Sequence, residues 1–191
     1  MSTSTDTPPT AQERIVDAAL RLFEKHGYAS TSIADVAAEA GMLKGNLAYY
    51  YPTKPALLEA VLRRRQAELE QALGLTTEAS PAETIERLLS YVETHAAEVA
   101  LSGCPIGSLA TELGKLDDRL HPPAAGLLLG LQAWLRQQFE RVLPAAAAQD
   151  CAEHLLATLQ GAAVLAQAGR NADVIRRRVD ASRAWLAGVL A

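Results

Sequence analysis

The first part of the chain repeats apolar residues at helical spacing. One stripe has the i, i+3, i+4, i+7, i+8 spacing of a half-buried helix and consists of Ile15, Ala18, Ala19, Leu22 and Phe23. Thr10 and Glu13, just before this stripe, have the spacing of a capping box, and Gly27 follows its end. The pattern therefore predicts a first helix that begins at about Thr10 and ends at Gly27.

Residues 31–54 predict two short helices joined at a glycine and followed by a third helix. The first short helix has one buried stripe, formed by Ile33, Val36, Ala37 and Ala40. Thr31 or Ser32 can cap this helix, because each offers a hydroxyl to the free amides of the first turn. Gly41 can end it, since glycine adopts the left-handed conformation at little cost. This arrangement is a helix-turn-helix.

The second short helix has room for only about two turns, from about Leu43 to Tyr50, because Pro52 disfavours helical conformation in the residue before it. A helix this short is not stable alone. We therefore expect Leu47 and Tyr51 to turn inward and hold it by packing. The side chains on its other faces can bind phosphates, sugars and base edges: Lys44, Asn46, Ala48, Tyr49 and Tyr50.

The rest of the chain continues in helical patterns. Further helices are predicted from Thr53 toward Gly74, from Ser80 to about Leu101, from Ser108 to Leu113, from His121 to Pro144, and over about 146–168 and 171–190. The stretch Gly103-Cys-Pro-Ile-Gly107 interrupts the chain before the shortest of them. The fold class predicted is therefore all-α, with about nine helices.

Composition agrees with this class, since the chain is 49% hydrophobic and 5% aromatic, and alanine and leucine favour helices. Residues 1–9 are rich in Ser, Thr and Pro and predict a disordered tail. Residues 10–54 are then expected to form the helix-turn-helix domain and residues 55–191 a helical domain, whose roles in effector binding and dimerisation are what the family resemblance described below implies. No apolar run reaches the length of about 20 residues that crosses a bilayer, so we expect no membrane association.

Two cysteines in a chain without an apolar export signal are expected to remain thiols in the cytoplasm. The net charge is −4, and residues 1–65 carry eight Lys or Arg against seven Asp or Glu. A basic DNA-binding domain is usually more positive. The positions of the basic residues nonetheless favour binding to DNA. Lys44, Lys54 and the arginine run 63–65 lie on or after the second short helix, whereas Glu13 and Asp17 belong to a supporting helix.

The last two predicted helices each carry a stripe that another helix could cover. The first stripe is mostly small and consists of Ala157, Gly161, Leu165 and Ala168. The second consists of Ile175, Val179, Ser182, Leu186 and Val189. These stripes suit a four-helix bundle formed with a second subunit, and the alternative is a helical core within one chain.

The sequence shows no pattern typical of an enzyme. The four histidines and two cysteines lack zinc-ligand spacing, and we find neither a glycine-rich phosphate loop nor a Gly-x-Ser-x-Gly motif, so no catalytic residue, metal or cofactor is expected. A thiol–imidazole pair of Cys104 with His95 or His121 is conceivable, but a structural cysteine is the commoner case. Polar and aromatic residues could instead line an effector pocket between the later helices: Tyr91, His95, Cys104, His121 and Trp134.

The segment from Gly41 to Leu58 is similar to the recognition-helix signature of the TetR family of bacterial transcriptional regulators, in which a glycine turn leads to a Leu, two aromatics, Phe-Pro-Ser-Lys and Leu-Leu. This chain departs from the signature at Leu43, Asn46, Ala48 and Tyr51. The resemblance implies a DNA-binding surface of Thr31, Ser32, Lys44, Gly45, Asn46, Ala48, Tyr49, Tyr50 and Lys54. Thr31 could hold a phosphate with the free amides after it, or it could serve only as a cap.

Two hypotheses of function remain. The first is a homodimeric repressor that binds a palindromic operator on double-stranded DNA and is released by a small-molecule effector. The second is an all-α enzyme or a ligand-sequestering protein in which the N-terminal helices are only structural. Exposed Lys44, Tyr49 and Tyr50 favour the first, because a structural helix gains nothing from unpaired phenols.

Overall fold

The computed structural model describes residues 8–74, 79–116 and 119–190, and every regular element in these ranges is an α-helix, which confirms the all-α class. The helices are α1 (Ala11–His26), α2 (Ile33–Glu39), α3 (Lys44–Tyr50), α4 (Lys54–Leu73), α5 (Pro81–Thr94), α6 (Ala96–Ser102), α7 (Pro105–Leu116), α8 (His121–Glu140), α9 (Ala145–Gly169) and α10 (Asp173–Val189). Residues 1–7 of the predicted tail lie outside the described residues. In the described ranges, no helix has the length and apolarity needed to span a membrane.

Capping boxes begin α1, α2 and α5. Glu13 and Glu83 each accept a hydrogen bond from the backbone amide of the capping Thr10 or Ser80, as the sequence spacing predicts. At α2 the cap is Ser32, whose Oγ accepts from the Asp35 amide at 3.1 Å. The Asp35 carboxylate in turn accepts from the Ser32 amide at 2.8 Å.

The segment predicted as one helix from Ser80 to Leu101 is two helices that meet at His95. The His95 amide donates to the carbonyl of Tyr91 at 3.2 Å, and the ring Nδ1 lies 2.8 Å from the same oxygen. The backbone amide and the ring nitrogen of His95 therefore both lie against the Tyr91 carbonyl oxygen at the point where α5 ends. This division gives ten helices in the described ranges. α7 also begins at Pro105, earlier than predicted, and α8 ends at Glu140.

The chain divides into two compact units, up to Arg64 and from Arg65, and the division falls inside α4. In the first unit α2 packs against α1 and α3. Its fully buried side chains include Ile15, Leu47, Leu57 and Leu58. In the second unit α9 is central and packs against α6, α8 and α10, while α10 also packs against α5. The core there includes Ile85, Leu88, Leu89, Leu135, Phe139, Leu155, Ile175 and Val179.

Candidate nucleic-acid interface

α3 is held on the first unit by the two residues expected to turn inward. Leu47 is 0% exposed and Tyr51 is 8% exposed, and the Tyr51 amide donates to the Leu47 carbonyl at 2.9 Å. The remaining residues of the helix face outward and are exposed: Lys44, Gly45, Asn46, Ala48, Tyr49 and Tyr50. A two-turn helix thus presents an ammonium, an amide and two phenols on a rigid support.

The two phenol rings of α3 support each other. The Tyr49 and Tyr50 rings meet edge to face, with centroids 5.4 Å apart and an interplanar angle of 89°. Tyr49 is 87% exposed and Tyr50 is 38% exposed. Tyr49 is therefore the more accessible of the two rings, and Tyr50 packs against it.

A depression of about 500 Å³ lies beside α3. Its lining is Ala11, Arg14, Gly41, Met42, Leu43, Asn46, Tyr49 and Tyr50. The sequence pattern does not point to Ala11, Arg14 or Met42, which come from α1 and from the turn before α3. Nothing in the spacing of residues along the chain places α1 beside α3, so packing alone shows this part of the surface.

Thr31 is a correction to the predicted site. Its side chain is 3% exposed, and its hydroxyl donates to the Gly27 carbonyl at 2.8 Å. A longer contact of 3.4 Å joins it to the Leu22 carbonyl. The hydroxyl is therefore committed inside the first unit and is not available to a phosphate. Ser32, the actual cap of α2, is exposed.

Lys54 reaches back from the start of α4 to the loop that precedes α2. Its Nζ lies 4.2 Å from the centroid of the Tyr28 ring and donates to the Ala29 carbonyl at 3.4 Å. A cation held over an aromatic face is attracted by the ring quadrupole. The ammonium is thus oriented rather than free to sample the solvent.

Ion pairs involve each arginine of the run 63–65. Arg63 pairs with Glu59 at 3.7 Å, Arg64 with Asp17 at 3.6 Å and Arg65 with Glu68 at 2.7 Å. Lys44 and Arg14 are exposed, and one Arg14 nitrogen donates to the Pro9 carbonyl at 3.1 Å. We therefore assign the positive charge beside α3 to Lys44 and Arg14 rather than to the arginine run.

Two of the five predicted effector-pocket residues, Tyr91 and His95, are in contact in the second unit, and we group Cys104 with them as one cluster because it acts electrostatically on Tyr91. The rings of Tyr91 and His95 have centroids 4.2 Å apart. Burial raises the pKa of the Tyr91 phenol, and the charges acting on it are those of Arg65, Glu68, Cys104 and Glu98. The Cys104 sulfur accepts from Gln160 Nε2 at 3.4 Å, so α9 also contributes to this cluster.

The other two predicted pocket residues lie elsewhere. His121 is exposed, and its ring covers Gly114, ten residues beyond Cys104 along α7 and so about 15 Å further along the helix axis. Trp134 is half-buried against the apolar core of the second unit. The ring of His121 therefore lies beside Gly114 of α7 and Trp134 lies against the apolar core, and the periodic pattern of the sequence shows neither position.

The two stripes predicted for a dimer differ in accessibility. On α10, Ile175, Val179, Ser182 and Leu186 are at most 7% exposed, so these four residues are intramolecular and their assignment to a dimer interface is wrong. Val189 is half-buried and packs against the same core. On α9, Ala157, Gly161, Leu165 and Ala168 are exposed. Leu165 is 63% exposed and the adjacent Val164 is 66% exposed, which leaves an apolar surface on α9.

Known families match both units. Residues 15–61 match "Bacterial regulatory proteins, tetR family", and residues 81–181 match "Transcriptional regulator LmrA/YxaF-like, C-terminal domain". A transcriptional regulator of the helix-turn-helix type from the lacX 3′ region of Lactococcus lactis is 27% identical over 176 residues, which cover 88% of this chain and 89% of the relative. The regulator BetI of Paraburkholderia xenovorans is 29% identical over 153 residues, with coverage of 78% and 77%.

Solved structures share the fold. The crystal structure of a TetR transcriptional regulator from Legionella pneumophila has a TM-score of 0.78 at 20% identity, and the alignment covers 93% of this chain and 99% of that one. Both units are therefore matched in sequence, and the arrangement of helices is matched in a solved structure.

Proposed function

The chain belongs to the TetR family of bacterial regulatory proteins, and on that premise we propose that it is a homodimeric repressor that binds a palindromic operator and is released by a small-molecule effector. As a family member it is a DNA-binding transcriptional regulator, and this sets aside the hypothesis of an all-α enzyme. The cytoplasm is the proposed location, because operator DNA lies there in a bacterial cell.

One observation carries the DNA-binding part of the proposal. α3 buries Leu47 and turns its amide, ammonium and phenol groups outward, and the two exposed phenols would gain little in a purely structural helix. Asn46 can make paired hydrogen bonds to an adenine edge, Lys44 can contact a phosphate, and Tyr49 can lie against sugars or thymine methyl groups. Lys54 and Ser32 flank this surface at the starts of α4 and α2.

A dimer makes recognition of the operator more specific, because two such small surfaces contact the DNA together. TetR-family regulators dimerise, and two-fold symmetry places two recognition helices about 34 Å apart in successive major grooves. We propose the exposed face of α9 as the dimer contact, with Ala157, Gly161, Leu165 and Ala168 at its centre. Small residues there let the matching helix of a second subunit approach closely.

The effector is proposed to bind at the cluster of Tyr91, His95 and Cys104. This cluster lies within the electrostatic reach of Arg65 and Glu68, which belong to α4. α4 continues without a break from Lys54, next to the DNA-binding surface, into the second unit. An effector that displaces Arg65 or Glu68 therefore acts on a helix shared with the DNA-binding unit. It releases DNA if it binds better to the dimer form whose recognition helices are wrongly spaced.

Selection of binding sites from random duplexes with the purified full-length protein tests this proposal. We expect an enriched sequence with two inverted half-sites whose centres are one helical turn apart. A small-molecule library screened by melting temperature should then yield compounds that stabilise the wild type and release the operator. His95→Ala should reduce both effects, whereas Thr94→Ala, at an exposed neighbour, should leave them unchanged. Absence of an enriched sequence, or enrichment of a single half-site, would contradict the proposal.

A further inference from the structure

Leu43 occupies a position that neither burial nor helix capping explains. Its side chain is 76% exposed, directly before α3. Its hydrocarbon side chain offers no acceptor to the amides of the first turn, whereas Ser, Thr, Asp or Asn would. A leucine here therefore forgoes a helix cap and leaves a large apolar group in water.

The depression beside α3 provides a context for this side chain. Leu43, Met42 and Ala11 give it apolar lining, and Asn46 gives it an amide. The depression is continuous with the exposed face of α3, which is the DNA-binding surface of the proposed function. In helix-turn-helix proteins the residues at the start of the recognition helix contact base edges in the major groove. Thymine is the base that presents a methyl group there.

We propose that Leu43 reads one thymine in each operator half-site through contact with the C5 methyl group of the base. The inference rests on the proposed function and adds a specificity-determining residue to it. Met42 and Ala11 extend the apolar surface beside Leu43, and the neighbouring Asn46 can read a hydrogen-bonding edge. The recognised chemistry is therefore a methyl group beside a hydrogen-bonding base edge.

Replacement of thymine by uracil in the selected operator tests this proposal, because uracil keeps the hydrogen-bonding edge and lacks only the methyl group. Each thymine is replaced in turn, and affinity is measured at fixed salt. At one thymine per half-site we expect about fourfold weaker binding by the wild type, and about fifteenfold when both half-sites are replaced. Leu43→Ala should bind the thymine and uracil operators equally.

A second variant separates this role from folding. Leu43→Ser supplies the missing cap oxygen to α3, so its melting temperature should rise while its discrimination between thymine and uracil disappears. Leu129→Ala, at a leucine that is 59% exposed on α8, is the matched control and should keep the discrimination.

Two outcomes would overturn the inference, and they differ. If every uracil replacement weakens the wild type and Leu43→Ala equally, Leu43 does not read thymine and the proposed function stands. If random duplexes yield no enriched operator, the proposed function fails and this inference fails with it.

Discussion

The Nζ of Lys54 lies 4.2 Å from the centroid of the Tyr28 ring and 3.4 Å from the carbonyl oxygen of Ala29. This contact joins the first residue of α4 to the loop before α2. We predict that Lys54→Ala lowers the free energy of unfolding by about 0.5–1 kcal/mol through the lost contact with the ring.

Lys54→Ala should also weaken binding to every duplex alike. The slope of log affinity against log salt should fall by about one unit per lost phosphate contact in each half-site. Fluorescence anisotropy over a range of salt concentrations measures this slope, with Lys115→Ala on α7 as the control. A less stable variant with an unchanged salt slope would make Lys54 purely structural.

Thr31 and Ser32 are predicted to act differently despite their similar side chains. Thr31→Val removes the hydroxyl that donates to Gly27 and leaves that carbonyl without this donor, so it should destabilise the protein by about 1–3 kcal/mol. The affinity of the folded variant for DNA should not change. Ser32→Ala should cost about 1 kcal/mol through the lost cap of α2. Chemical denaturation measures the stability of both variants, and operator titration measures their affinity for DNA. A fully stable Thr31→Val variant with weakened DNA binding would show that Thr31 belongs to the DNA-binding surface.

Gly161 tests the proposed dimer contact. A Cβ atom added at exposed Gly161 meets no atom of another part of the chain within 4 Å, so we expect Gly161→Leu to be tolerated in the isolated subunit. In a close contact between two α9 helices, the added leucine should be overpacked and should destabilise the dimer by about 1–3 kcal/mol per site. The affinity of the subunits for each other and the affinity of the dimer for the operator should therefore fall together. Gly130→Leu on α8 has the same free space and serves as the control. Sedimentation equilibrium that shows an unchanged dimer for Gly161→Leu would place the contact elsewhere.

The ion pairs of Arg183 should account for part of the loss of stability of the second unit at low pH. It donates to Glu86 at 2.8 Å and to Glu93 at 2.8 Å, which ties α10 to α5, and it also pairs with Asp180 at 3.2 Å. Hydrogen bonds from Arg183 hold the pKa of the Glu86 carboxyl below its ordinary value of 4.5. A lowered pKa in the folded state stabilises the protein above pH 4.5, and this contribution is lost as the pH falls through the folded pKa.

Arg183→Met should therefore make the decline in stability below pH 4.5 shallower. The loss of stability at neutral pH should be about 1 kcal/mol or less, because the pairs are partly exposed. Thermal unfolding between pH 3 and pH 7, with exposed Arg177→Met as the control, measures the difference. Equal pH profiles for the two variants would show that the Arg183 pairs do not matter to acid stability.

The features that the sequence predicted well depend on neighbours along the chain. The capping boxes at Thr10 and Ser80 fix the starts of α1 and α5 through residues three positions apart. The same logic favours Ser32 over Thr31, since Asp35 stands three residues after Ser32 while Ala34 stands three after Thr31. The spacing of Ser32 and Asp35 therefore identifies the cap, which the hydroxyl groups of Thr31 and Ser32 alone do not.

The features that the sequence could not supply depend on packing. Periodicity shows that Val179 and Leu186 share a stripe. It does not show whether this stripe packs in the core of the same chain or against a partner subunit. The break at His95 has no glycine or proline to announce it, and the contact of the His95 ring with the Tyr91 carbonyl is seen only in the structure. The position of Arg14 beside Asn46 requires α1 and α3 to be placed together.

The proposed function depends above all on the exposed face of α3, which we propose reads the operator bases. Site selection repeated with Asn46→Ala and Tyr49→Ala tests it most directly, because both side chains are exposed and their truncation leaves the core intact. We expect each variant to lose sequence preference at corresponding positions of both half-sites and to keep it at the other positions. A consensus identical to that of the wild type for both variants would contradict the account.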